Sequence, residues 1–133
     1  MAVMKAYWDS SALVETTTNP KLRTRLHNEK GFTRTHSLAE VFAALTGNPQ
    51  IRADASQAAE TIEQLAEHLE FTDLSPAEVI SALKKAKRKG VRGGHVHDLL
   101  HAAAADKSGA KELLTLDLND FQGLAEKAQL TTV

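Results

Sequence analysis

The chain has no cysteine among its 133 residues, which excludes disulfides and thiolate zinc sites and fits a reducing, cytoplasmic setting. No stretch approaches the roughly 18 consecutive apolar residues of a membrane span, so no membrane partner is expected. The opening residues, MAVMKAYWDSS, carry one lysine and too short an apolar run for a signal peptide. Nor is there an excess of charge of either sign: 16 Lys and Arg stand against 17 Asp and Glu, a net charge of −1. Composition therefore does not announce a strongly basic nucleic-acid binder. Internal repeats and low-complexity linkers are missing too, which leaves residues 1–133 as one expected domain. What is present is 42% hydrophobic content spread along the chain. That suffices for a core burying roughly two thirds of the unfolded surface.

Short strands alternate with helices along this sequence. MKAYW, residues 4–8, predicts a first strand that stops abruptly at Asp9. Leu22 and Leu26, four apart, predict a helix face, and GFTRT at 31–35 predicts a second strand. SLAEVFAALTG at 37–47 sets Ser37 and Glu40 at capping-box spacing, with Gly47 at the stop. Ala58, Ile62, Leu65 and Leu69 share one face of a helix over 54–69, and EFTDL at 70–74 predicts a third strand. Ser75, Pro76 and Glu78 repeat the entry signature for a helix running toward Gly90. HDLLHAAAADKSG at 97–109 is helical, KELLTL at 111–116 is a strand, and DFQGLAEKAQ at 120–129 predicts a last helix. The alternation implies an α/β domain with a central, mostly parallel sheet flanked by helices. Such sheets bind ligands outside the carboxyl ends of their strands.

Acids fall where that rule directs attention. Asp9 follows the first strand directly, and Asp117 follows ELLTL, with Asp120 three residues on. Glu40 lies in the first turn of its helix and Asp98 starts another. Four carboxylates converging on one cleft would raise one another's pKa unless a cation neutralised them. Hard oxygen ligands select Mg²⁺ or Mn²⁺, and such ions activate water and stabilise a leaving oxygen in phosphodiester cleavage. Each acid also has a plainer role. Glu40 completes a capping box, Asp98 complements a helix dipole, and Asp117 and Asp120 suit an ordinary turn.

AYWDSSALVE, THSLAEVFAAL and GGHVHDLLHAAAADKSGAKELLTLDLNDF, in that order, resemble the successive signatures of PIN-domain ribonucleases, especially VapC-type toxins. The resemblance spans residue 6 to about 124, while 50–90 carries no distinctive motif. It implies a single PIN-like domain with four to five strands and a metal-binding acidic pocket. By position, Asp9, Glu40, Asp98 and Asp117 match the four acids, with Asp120 able to share or take the fourth role. Ser11 and Thr115 match small hydroxyl positions that orient a carboxylate or a water on the metal. The resemblance further implies Mg²⁺- or Mn²⁺-dependent endoribonuclease activity, a homodimer, and a cognate antitoxin protein. The alternative is a catalytically silent PIN-like module that binds RNA or protein.

His97 and His101, four apart around Asp98, come close to the His-Glu-x-x-His pattern of zinc proteases. The base is one methylene short, though, and His97 would occupy a fraying first turn. The histidines read instead as a rim residue and a packed or solvated one, of less consequence than Asp98. A haloacid-type phosphatase would need a second acid in DSSAL, and a response-regulator receiver an early acidic pair; neither is present. Lys84, Lys85, Lys87, Arg88, Lys89 and Arg92 crowd into nine positions before Asp98. They serve either as a solvated helix end or as contacts to RNA phosphates. With four carboxylates offset by metal, the remainder of the protein would be net positive although the chain is not.

Overall fold

Strand alternation in β1, Lys5–Trp8, decides how the two halves of the core divide. Successive side chains point to opposite faces, so Ala6 and Trp8 enter one hydrophobic layer and Tyr7 the other. The structure, a computed structural model, describes residues 5–133. Met4, assigned to the first strand by the sequence pattern, lies outside the described residues, as does the start of the expected domain.

Four further strands pair with β1: β2 Lys30–Thr33, β3 Leu69–Phe71, β4 Glu112–Thr115 and β5 Gln129–Thr132. They lie in the order β3-β2-β1-β4-β5 and every pairing is parallel. The expected mostly parallel sheet of four to five strands is therefore five-stranded and wholly parallel. The Ala6 and Trp8 face is covered by α1 Ser10–Glu15, α2 Pro20–Asn28, α3 His36–Gly47 and α4 Ala55–Ala66. The Tyr7 face is covered by α5 Pro76–Lys84, α6 Val96–Ser108 and α7 Leu118–Phe121. Successive strands build outward on one side of β1 and then cross to the other, so β1 and β4 flank the point where the order switches. A crevice at their carboxyl ends is the expected binding position in such a sheet.

Three local expectations give way to longer-range contacts. Ser37 and Glu40 form no capping box: α3 begins a residue earlier, and its N-cap Thr35 makes no side-chain cap bond. Ser37 is instead buried against Thr33 (2.7 Å), and Glu40 bonds to His101 (2.8 Å). Leu69 leaves the predicted helix to open β3. The predicted helix over 120–129 is reduced to the single turn of α7, after which Gly123 takes a left-handed φ of 75°. The Asp106 carboxylate then accepts the backbone N–H groups of Glu126, Lys127 and Ala128 (2.7–2.9 Å). Those donors are lost to a helix, and the chain continues into β5. By contrast, Ser75 and Glu78 do close their capping box on α5.

Gly31 in β2 leaves little room for a side chain on the α2-covered face. A Cβ there would lie 3.0 Å from Leu26 Cδ1, 3.1 Å from Leu69 Cδ2 and 3.3 Å from Trp8 Nε1. Strand propensity favours valine over glycine by up to about 1 kcal/mol, whereas overpacking costs about 1–3 kcal/mol. Gly31→Val is therefore expected to lower the melting temperature. A rise would show that this face is loosely packed.

Candidate active site

Asp9 stands where β1 ends and serves as N-cap of α1. Its Oδ1 accepts from the Ala12 N–H (2.8 Å) and the Ser11 hydroxyl (2.7 Å), and its Oδ2 from the Thr115 hydroxyl (2.6 Å). The two hydroxyls in turn accept backbone N–H groups, Leu116 on Ser11 Oγ and Asp117 on Thr115 Oγ1, each at 3.0 Å. One bonded set thus ties the end of β1 to the loop after β4. Asp9 is only 4% exposed. Burial pushes its carboxyl up, and this outweighs the opposing hydrogen bonds of Thr115, Ala12 and Ser11.

Asp98 lies in the first turn of α6, reached through a 3-10 turn at Gly93–His95 in which Gly93 has a φ of 59°. Burial pushes the Asp98 carboxyl up, and the charges of Asp120 and Asp9 act in the same direction against those of His95 and His101. His95 also bonds through Nε2 to the Asp120 carbonyl, bringing α7 against the start of α6. The charges of Asp9 and Asp120 thus bear on Asp98, and both Asp117 and Asp120 are exposed.

Glu40 is half-buried on α3 and joins the site through His101. Burial pushes its carboxyl up, but the His101 hydrogen bond and the charges of His101, His36 and Arg34 leave it below the usual value. His101 is 2% exposed and uses both ring nitrogens, Nε2 on Glu40 and Nδ1 on Tyr7. His97 is exposed and stacks at 6.1 Å on His36. The histidine pair thus points two ways, which removes the zinc-protease geometry.

Among the described residues, no group of three or more His, Asp or Glu is close enough to hold a metal as it stands. What the site offers a hard cation is the chemistry of its donors. Asp9 and Asp98 carry carboxylate oxygens, the charge of Asp9 bears on Asp98, and neither has a lysine or arginine partner among the described residues. A divalent ion would offset those charges, and oxygen donors suit Mg²⁺ or Mn²⁺. The donor set fits such an ion.

The model of the PIN domain family matches residues 6–127. The chain belongs to the PIN domain family. PIN domains are generally nucleases, so the acids lie in a fold used for hydrolysis. Among solved structures, this PIN domain is similar to PAE2754 from Pyrobaculum aerophilum, with a TM-score of 0.71 and 19% identity. That match covers 96% of this chain and 89% of the other. It is also similar to VapBC2 from Rickettsia felis, a structure bound to a DNA fragment from their promoter. There the TM-score is 0.69 and the identity 18%, over 97% of this chain and 98% of that one. At these identities the likeness is one of fold. Comparison with the curated proteins finds no match.

The basic run is only partly open. Lys85, Arg88 and Lys89 converge on Glu126 at 3.3–3.4 Å, and Lys89 also donates to the Leu124 carbonyl (2.7 Å). Lys84, Lys87 and Arg92 are exposed and have no acidic partner among the described residues. The sequence reading missed the bridging role of His101, its partner Tyr7, and Arg34. Arg34 follows β2, its charge acts on Glu40 and Asp73, and its Nη1 is buried without a hydrogen-bond partner. The available signal was His101 three residues after Asp98, on the same helical face.

A raised carboxyl pKa makes ionisation costly to the fold. The folded state of metal-free protein binds the Asp9 proton more tightly than the unfolded state, so stability falls as pH rises through that window. At pH 7, Asp9→Asn is expected to melt above the wild type in chelator, with the gap closing as pH drops toward the ordinary aspartate range. A variant that melts lower than wild type at every pH would show that the ionised carboxylate is fully compensated by its hydrogen bonds.

Proposed function

We propose that the chain is a Mg²⁺- or Mn²⁺-dependent endoribonuclease that acts in the cytoplasm as the toxin of a toxin–antitoxin pair. The observation that carries this reading is Asp9, a buried carboxylate without a basic partner among the described residues, held by three donors at the switch point of a PIN-domain sheet. Asp9, Glu40 and Asp98 would hold the ion. Asp120 is favoured over Asp117 as the fourth acid, because the charge of Asp120 bears on Asp98.

A divalent ion there would polarise a phosphodiester and activate a water for attack on it. The protein's own contribution is placement. Three hydrogen bonds fix the Asp9 carboxylate, and Ser11 and Thr115 do so while anchoring the loop after β4. No side chain is required as nucleophile. Lys84, Lys87 and Arg92 are suited to RNA phosphates. Lys85, Arg88 and Lys89 would reach RNA only by giving up Glu126, so they would add less to binding than Lys84, Lys87 and Arg92. The fold shared with VapBC2 supports an antitoxin partner, and the VapC-type motif order supports a homodimer.

Wild-type protein with Mn²⁺ is expected to cleave RNA, and excess chelator, Asp9→Asn or Asp98→Asn to stop it with the fold retained. Full activity in either variant or in chelator would overturn the mechanism. Mn²⁺ should also raise the melting temperature of the wild type, because a ligand of the folded state alone stabilises it. Neither cleavage nor a shift at millimolar metal would favour a catalytically silent RNA- or protein-binding module.

A further inference from the structure

Tyr7, His101 and Glu40 form a hydrogen-bonded chain across β1, α6 and α3. Tyr7 Oη lies 2.8 Å from His101 Nδ1, and His101 Nε2 lies 2.8 Å from Glu40 Oε1. Tyr7 is fully buried. The imidazole meets its ring edge-on at 5.8 Å between centroids, and Phe121 packs at 6.5 Å. Donor and acceptor assignments follow from chemistry. An ionised Glu40 only accepts, so Nε2 carries the proton, and the Tyr7 phenol then donates to a bare Nδ1. Both imidazole nitrogens are therefore occupied, which leaves His101 neither a metal ligand nor a base. Glu40 Oε2 makes no hydrogen bond among the described residues.

We propose that Tyr7 and His101 are positioning residues that fix Glu40 in one rotamer, presenting its second oxygen to the cation held by Asp9 and Asp98. The proposal rests on the reading of Glu40 as a metal ligand. A glutamate samples many rotamers when unrestrained, and ordering it costs affinity unless it is already held. Tyr7 is two residues before Asp9, so the end of one strand sets both the buried acid and the anchor of the acid on α3.

The test is calorimetric titration of the metal-free full-length chain with Mn²⁺, alongside circular dichroism to confirm folding. Wild type is expected to bind and Asp9→Asn to lose binding. Tyr7→Phe and His101→Leu should bind about 10- to 100-fold more weakly, the usual consequence of losing a residue that orients a ligand. His101→Gln, whose amide both donates to Glu40 and accepts from Tyr7, should recover much of that loss. Nitrogen-15 spectra of the wild type should show His101 as the Nε2–H tautomer. If His101→Leu does not fold, Tyr7→Phe and the tautomer decide the matter. Wild-type affinity in Tyr7→Phe, or an Nδ1–H tautomer, would overturn the relay. Should Asp9→Asn still abolish binding in that case, the metal-centre reading stands without the relay. A wild type that binds no Mn²⁺ would remove both.

Discussion

A carboxylate buried at the end of the central strand sets the terms for its surroundings. Desolvating an ionised group costs several kcal/mol that imperfect partners do not recover. Around Asp9 the chain supplies three donors, from the first turn of α1, from Ser11 and from Thr115 on the neighbouring strand. Even so, burial leaves the carboxyl raised. No neighbouring lysine or arginine neutralises it among the described residues. A fold optimised for stability alone has little reason to keep such a group, whereas a site that awaits a cation does.

Packing sets the places of Thr115, Asp98 and Glu40 relative to that point. The parallel β1–β4 pair brings Asp9 beside Thr115. Burial of the α6 face that carries Leu99, Ala102 and Ala105 against the sheet turns His101 inward. Asp98, one turn earlier on α6, is thereby directed to the crevice end of the sheet. His101 then reaches across to α3 and recruits Glu40. Strand register, helix packing and one imidazole account for how Thr115 meets Asp9 and His101 meets Glu40 across 106 and 61 residues.

What was legible in the sequence was local. Asp9 stood out because a buried strand reads as an apolar run and the acid breaks it. The α5 capping box was legible because Ser75 and Glu78 satisfy each other without outside help. The same S-x-x-E spacing at Ser37 and Glu40 misled because both residues have tertiary partners, Glu40 one that is 61 residues away. The inward turn of His101 depended on which face of an alanine-rich helix meets the sheet, and alanine on several faces does not mark it. β5 was hidden because its approach, with buried Phe121, Leu124 and Ala128, mimics a helix until Asp106 takes the backbone donors. The basic run read as one patch because Glu126, about forty positions on, is not visible as its partner from spacing.

The proposed role of Asp9 and its neighbours is to hold a cation through oxygen ligands. A crystal structure grown in Mn²⁺, with anomalous scattering to locate the ion, addresses it directly. A peak is expected within about 2.5 Å of carboxylate oxygens from Asp9 and Asp98, with Asp120 nearer to it than Asp117 and Glu40 Oε2 turned toward it. An ordered crevice with no peak at millimolar Mn²⁺, or a peak held by His36 and His97 instead, would contradict it.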